Sequence, residues 1–378
     1  MSERGTAAVF VGTGRPFELR EYPLLPPEPG AILARVRMAN VCGSDLHMWR
    51  GELDLERLKL PMPLVLGHEA VGEVVALGEG VTHDAAGRAL APGDRISWRY
   101  FSPCGSCPAC RSGMTRACQD NHRFISRGHS SEEAPHFFGA FATHHVMPPG
   151  QVVVRVPDSV SDANAAAANC ALAQVIQAFQ VAGLRSADTV VIQGAGGLGI
   201  HAAAVASVGE AARIVVLDQV AARLDLAREF GADVAIDVSK MEWRERVRAV
   251  QEATGGRGAD LACEFVGHAS AMREGLHMLA PAGRYLAIGT VNTGSSFELD
   301  PAYLTLRNRS ILGCVYYEPW ALREALAFLD RTRHRFPWGR LGSAAYPLRE
   351  IDRAFRDADE RKVPRASLLM DDPGLRKG

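Results

Sequence analysis

No stretch of this sequence has the uninterrupted apolar length of a bilayer-spanning helix. The longest candidate, ANAAAANCALAQVIQAFQVAGL, is Ala-rich and broken by Asn169, Gln174 and Gln177, where a membrane helix needs about 20 predominantly apolar residues. The opening MSERGTAAVFVGTGRP lacks the apolar core of a secretory signal. Excess charge is missing too: 42 Lys and Arg against 43 Asp and Glu leave a formal net charge of −1. A nucleic-acid partner would want a basic face, and this balance offers no such footprint. Internal repeats and low-complexity tracts are absent, which argues against a solenoid or a compositionally biased tail. The expectation is a cytoplasmic protein with no membrane and no nucleic acid as partner.

What is present is ample apolar material, 47% of 378 residues, enough to fill the cores of two or three domains. Residues 1 to about 155 are rich in Gly, Pro and short apolar alternations such as AILARVRMANV and VGEVVALG. That pattern reads as irregular, mostly antiparallel β structure. An Ala-rich helical segment begins near Ala163. From Asp188 onward the apolar runs TVVIQG, RIVVLD, VAIDV, ADLACEFVG, RYLAIG and SILGCVYY follow in order, with helical patterns between most of them. Six strands with intervening helices describe an α/β fold built on a doubly wound parallel sheet. The remainder carries a helical PWALREALAFLD and a strand-like ASLLM. It is too short for a domain of its own and is expected to rejoin the first. The expected division is 1–171, 172–316 and 317–378.

Half of the eight cysteines crowd into SPCGSCPACRSGMTRACQD: Cys104, Cys107, Cys110 and Cys118, spaced Cys-x2-Cys-x2-Cys-x7-Cys. In a large cytoplasmic chain thiols stay reduced, so metal binding is the better reading than disulfides. Two intervening residues let a turn aim two thiolates at one ion roughly 2.3 Å away. Four thiolates around zinc leave no open position, so this site would stabilise structure and not catalyse. An iron–sulfur cluster is the rival metal reading, and four unrelated core cysteines the plain one.

VVIQGAGGLG places Gly194, Gly196 and Gly199 in a Gly-x-Gly-x-x-Gly turn directly after a strand and at the start of a helix, with Gly197 and Leu198 between the last two. Asp218 ends the next strand, 19 residues beyond Gly199. In this context the glycines allow a tight turn, a close approach to a pyrophosphate and helix-on-strand packing. The helix N-terminus favours phosphate charge. Asp218 would accept hydrogen bonds from the adenosine ribose and repel a 2′-phosphate, which favours NAD over NADP. A Gly-rich turn in a nucleotide-free α/β domain is the bland alternative.

The runs VCGSDLHMW and LGHEAVGEVVALGEGV carry Cys42, Ser44, Asp45, His47, His68 and Glu69, and Cys170 lies far along the chain in ANCALAQ. Singly, such cysteines are more often small buried hydrophobes than ligands. Together with Gly78, Val81, the four-cysteine stretch, GAFATHHVMP and the glycine turn, they resemble the zinc-dependent medium-chain alcohol dehydrogenases over nearly the whole chain. The resemblance implies a GroES-like, mostly-β catalytic domain beside a Rossmann domain with a six-stranded parallel sheet. It implies one catalytic and one structural Zn2+ per chain, NAD, an alcohol or carbonyl substrate, and a homodimer or homotetramer. By position, Cys42, His68 and Cys170 match the catalytic zinc ligands, and Glu69 a group beside the metal. Asp45 matches the carboxylate that orients the ligand histidine; Ser44 and His47 match a proton relay. On the nucleotide side the resemblance assigns Asp218, Arg223, Val266 and Ile288, and matches Arg365 to a pyrophosphate-binding arginine.

The chain departs from that pattern in places. Gly43 stands where some members place a basic phosphate contact, and Gln174 where many have Thr. His122, His129 and His136 fall in an extra segment and read as solvated loop residues; His144 and His145 read as strand residues, and Cys263 and Cys314 as inert packing. Tyr100 and Leu53 are candidates for lining the pocket. The expected reaction is oxidation of a secondary or bulky alcohol, with a polyol or amino alcohol as the nearer alternative. A non-catalytic sensor that binds NAD and zinc is the alternative of a different class.

Overall fold

The computed structural model describes residues 3–53, 55, 60–120, 129–289, 294–342, 344–363 and 365–370. The chain divides into two compact units: Met1–Ala173 with Glu318–Arg333 and Leu341–Gly378, and Gln174–Tyr317 with His334–Arg340. The last excursion differs from the expected division, which sent all of 317–378 to the first domain. Its cause is aromatic burial. Phe336 stacks on Phe230 at 5.6 Å, and Trp338 meets the same ring edge-on at 5.1 Å, so this short segment hides its rings in the second unit.

The first unit is built on a seven-stranded sheet. Its path runs Ala344–Pro347, Ala366–Leu369, Ile32–Asn40, Glu69–Leu77, Arg95–Trp98 and Val153–Arg155, with His144–Met147 also pairing on Ile32–Asn40. All pairings are antiparallel except that of the two C-terminal strands. Two registers matter for function. Asn40 lies opposite Glu69, and Ser367 lies opposite Asn40, so the tail strand is laid beside the strand that begins just after His68. Phe10, Trp98, Phe141 and Phe355, all at most 1% exposed, fill the core beneath.

A single helical run, Asp162–Ala182, carries Cys170. Contrary to the sequence reading, its 21 residues are long and apolar enough to cross a membrane by length and composition even with Asn169, Gln174 and Gln177 among them, yet 83% of its most apolar window is buried in the fold. The apolar character therefore belongs to a core helix. Within it, Ala168–Leu172 form a π-helical turn.

The second unit contains six parallel strands: β1 (Thr189–Gln193), β2 (Arg213–Asp218), β3 (Val234–Asp237), β4 (Ala259–Glu264), β5 (Leu279–Ala287) and β6 (Ser310–Gly313). Their order is β3-β2-β1-β4-β5-β6, which reverses direction between β1 and β4, the place where such sheets bind dinucleotides. The run SILGCVYY is strand only as far as Gly313. Tyr316 takes a left-handed φ of 60°, outside the extended range of regular strand backbone.

Candidate active site

Four side chains from three distant segments converge in the first unit. The donor atoms of Cys42, His68, Glu69 and Cys170 all lie within 4.8 Å of one another. Cys42 caps the helix Gly43–Trp49, His68 precedes the strand Glu69–Leu77, and Cys170 sits in the π turn. Cys170 Sγ is 3.6 Å from His68 Nε2. Two sulfurs, one imidazole and a nearby carboxylate form a donor set that suits zinc.

Asp45 organises this cluster. It is fully buried, accepts the backbone N–H groups of Cys42 at 3.0 Å and Gly67 at 3.3 Å, and lies 3.5 Å from His68 Nδ1. Holding Nδ1 leaves Nε2 as the nitrogen that faces the Cys170 sulfur. Burial opposes charge on His68, but the nearby Asp45 and Cys42 carry its pKa well above the ordinary histidine value. The Cys42 thiol is pulled well below its usual value by its contacts with Cys170 and His68, while Cys170 is pushed well above by Cys42 and by burial.

Arg365 has a protein partner that the sequence did not indicate: Nη1 donates to Glu69 Oε2 at 2.7 Å. The register of the tail strand explains this, since Ser367 beside Asn40 brings Arg365 to the buried carboxylate. Burial pushes Glu69 up to about 7, against the pull of that guanidinium. Ser44 and His47 stand three residues apart on one short helix and so share a face. His47 Nδ1 is hydrogen-bonded to Glu52, a residue that sequence reasoning passed over because it lies outside the Cys-Gly-Ser-Asp-x-His run. Tyr100 does lie beside the cluster, its ring centroid 4.9 Å from that of His68. Leu53 instead packs against the core of the unit.

The four-cysteine lobe also converges, its sulfurs all within 4.8 Å. Cys104 Sγ and Cys110 Sγ are 4.0 Å apart. A zinc tetrahedron has an edge of about 3.8 Å given its Zn–S bonds, and a disulfide needs about 2.05 Å. Backbone N–H groups point at the sulfurs, from Cys107 to Cys104 at 3.3 Å and from Asp120 to Cys118 at 3.4 Å. Those of Ser106 and Cys107 pull the Cys104 thiol down to about 6. The lobe is anchored by Glu318, whose carboxylate accepts the N–H groups of Thr115 and Arg116, both at 3.1 Å, and the Thr115 hydroxyl at 2.5 Å. Glu318 had no sequence signal, lying 203 residues from Thr115.

In the second unit the glycine turn has the required geometry. Gly194 takes φ +95°, and a Cβ on Gly199 would lie 1.8 Å from Gly194 O. A Cβ on Gly196 would meet nothing within 4 Å, so the turn leaves room for a ligand. Gly196 caps the helix Gly197–Val208 without a side-chain bond to its N–H groups. Asp218 ends β2 against this turn, accepting from Ala195 N at 2.7 Å and Val220 N at 2.9 Å. Leu198 and Arg223 are half-buried, and Val266 and Ile288 follow β4 and β5, the first 49% and the second 8% exposed.

Other expectations resolve individually. Gln174 Nε2 donates to Cys314 O at 3.2 Å, and Cys263 is buried in β4. His145 stacks on Trp98 and His144 opens a strand. His136 departs from the solvated reading: it is half-buried and stacked on Tyr22 at 4.6 Å, because an imidazole on a phenol ring shields both. His129 is exposed and pairs with Glu133. His122 lies outside the described residues.

The model of the alcohol dehydrogenase GroES-like domain matches residues 28–158, and that of the zinc-binding dehydrogenase matches residues 197–331. The chain belongs to the zinc-dependent medium-chain dehydrogenase/reductase family. This dehydrogenase is 34% identical over 349 residues to 5-exo-hydroxycamphor dehydrogenase of Pseudomonas putida, covering 92% of this chain and 94% of that protein. Over 290 residues it is 33% identical to L-threonine 3-dehydrogenase of Pyrococcus horikoshii, covering 76% and 77%. An alcohol dehydrogenase of Thermotoga maritima matches its structure with a TM-score of 0.89 at 29% identity, covering 97% of this chain and all of that one. The dehydrogenase is an oxidoreductase that acts on the CH–OH group of a small-molecule alcohol.

Proposed function

We propose that this dehydrogenase converts a bulky secondary alcohol to its ketone with NAD as hydride acceptor. It would hold one zinc ion at Cys42, His68 and Cys170 and a second at Cys104, Cys107, Cys110 and Cys118. The convergence of Cys42, His68, Glu69 and Cys170 carries the reading. Zinc in such a site supplies Lewis acidity, which lowers the pKa of a bound hydroxyl as it lowers that of water to about 7.

The chain's own groups do the rest. Asp45 holds His68 by Nδ1, so the imidazole is oriented before metal arrives. Ser44 takes the substrate's hydroxyl proton and His47 passes it toward solvent. With Nδ1 on the Glu52 carboxylate, His47 keeps its Nε2 lone pair as the base. NAD would be held at the turn of Gly194, Gly196 and Gly199 and by Asp218, and would supply the acceptor for the hydride that the alcohol gives up along with that proton. Asp218, already fixed by two backbone N–H groups, supports NAD over NADP because its charge would meet a 2′-phosphate.

The bulky secondary substrate is supported by the relative named for 5-exo-hydroxycamphor; the relative named for L-threonine keeps an amino alcohol as a second reading. Absorbance of the reduced nicotinamide, over a panel of cyclic, polyhydroxy and amino alcohols with NAD and NADP, is the test. The expected result is fastest turnover of a cyclic secondary alcohol with NAD, at about two zinc per chain. No turnover of any alcohol at one zinc per chain would sink the reading in favour of a non-catalytic sensor. A homodimer or homotetramer, supported by the family alone, is checked by light scattering.

A further inference from the structure

His68 and Cys170 are 102 residues apart in sequence, and their relative position must be held by something other than the chain between them. Metal–ligand distances tolerate only about 0.2 Å of error. The residue next to Cys170 provides a link. Asn169 is fully buried within the π turn, and its Nδ2 donates to His68 O at 2.9 Å and to Trp98 O at 2.9 Å. A primary amide has two N–H donors, and these two bonds use both. Because both acceptors are carbonyl oxygens, the amide nitrogen has to be the atom that faces them.

The sheet explains why two backbone carbonyls are available there. The strands Glu69–Leu77 and Arg95–Trp98 pair only at Gly72 with Ile96 and Glu73 with Arg95. Their ladder therefore stops before it reaches His68 and Trp98, and the Asn169 carboxamide bonds across the end of the pair. The amide thus ties the segment bearing His68 to the turn bearing Cys170. Consecutive Cα atoms are 3.8 Å apart, so a shift of Asn169 carries Cys170 with it. π turns are rare and recur at functional sites, where they rearrange the face a helix presents.

We infer that Asn169 is a positioning residue of this centre: its carboxamide sets the spacing between the His68 imidazole and the Cys170 sulfur. The inference rests on the reading of Cys42, His68 and Cys170 as a metal centre. Its test uses the full chain loaded with zinc or with cobalt(II). Cobalt reports each centre by its visible bands, and a chromogenic chelator follows zinc release, the four-cysteine lobe serving as internal control. If the wild-type chain holds one metal ion, confined to the lobe, the metal-centre reading fails and this inference falls with it.

With two ions in the wild type, Asn169→Asp removes both donors at nearly constant shape, and Asn169→Ser leaves a single shorter one. In both, the centre is expected to lose zinc about 10- to 100-fold more readily, the size typical of partners that orient ligands. Its cobalt bands should shift, while release from the lobe stays at the wild-type rate. A merely structural role would lower the melting temperature and leave the cobalt bands in place, and that result would overturn the inference. So would two folded variants that retain both ions with wild-type kinetics. Failure of both variants to fold, with the lobe empty, would also overturn it, since Asn169 would then serve the fold as a whole.

Discussion

Glu69 Oε2 and Arg365 Nη1 meet at 2.7 Å across 296 residues of sequence, with the carboxylate 2% exposed. Buried ion pairs of this kind are costly to break because the remaining charge has no water to return to. Arg365→Met is expected to destabilise the first unit by about 3 kcal/mol or more, read as a lower urea midpoint at unchanged slope. Equal midpoints for variant and wild type would show that the pair does not hold the tail strand.

The proton path is separable from metal binding. Ser44→Ala and His47→Gln are each expected to lower turnover by about 100-fold or more, the usual scale for a positioned acid or base, at wild-type zinc content. Glu52→Gln keeps a hydrogen-bonding group for His47 but removes the charge, so its effect should appear as lower turnover at wild-type zinc content. Unchanged turnover in both Ser44→Ala and His47→Gln would remove the relay.

The four-cysteine lobe depends on a carboxylate from another segment. Glu318 receives Thr115 and Arg116, and Thr115 Oγ1 in turn accepts from the buried Arg99 at 3.1 Å. Glu318→Gln cannot receive this donor set as an anion does, and is expected to cost about 1–3 kcal/mol. Hydrogen exchange across residues 104–118 should speed up and a chelator should strip the lobe faster. Exchange confined to wild-type rates would show that the cysteines hold themselves.

One pH dependence follows from His144. Burial, with the charge of Arg35 nearby, pushes this imidazole down to about 4 from its ordinary 6.5. The folded protein thus keeps it neutral where the unfolded chain would bind a proton. Its stabilising contribution is complete above about pH 6.5 and is lost as pH falls toward 4, up to roughly 3 kcal/mol in all. His144→Gln should therefore lose less stability than wild type between pH 7.5 and 4.5 in urea unfolding. Parallel losses would assign the acid sensitivity elsewhere.

Much of the site was readable as sequence because its parts are local. The cysteine spacing, the glycine turn after a strand and the Cys-Gly-Ser-Asp-x-His run each fit within about twenty residues, where turn and helix geometry leave few options. Glu52, Glu318 and the pairing of Arg365 with Glu69 were not readable. Their partners arrive through sheet register, hydrogen bonds between distant segments, or a turn outside any motif.

The sequence by itself determined the alternating strands and helices of the second unit, the Gly-x-Gly-x-x-Gly turn and the inventory of thiols and imidazoles, because periodicity and short-range sterics act over a few residues. Only the tertiary structure decided that the tail strand would set Arg365 on Glu69, that 334–340 would return to bury Phe336 and Trp338, and that Asn169 would join His68 to the π turn. Those outcomes depend on which buried polar groups and aromatic faces find partners, and burial is a property of the whole packed chain.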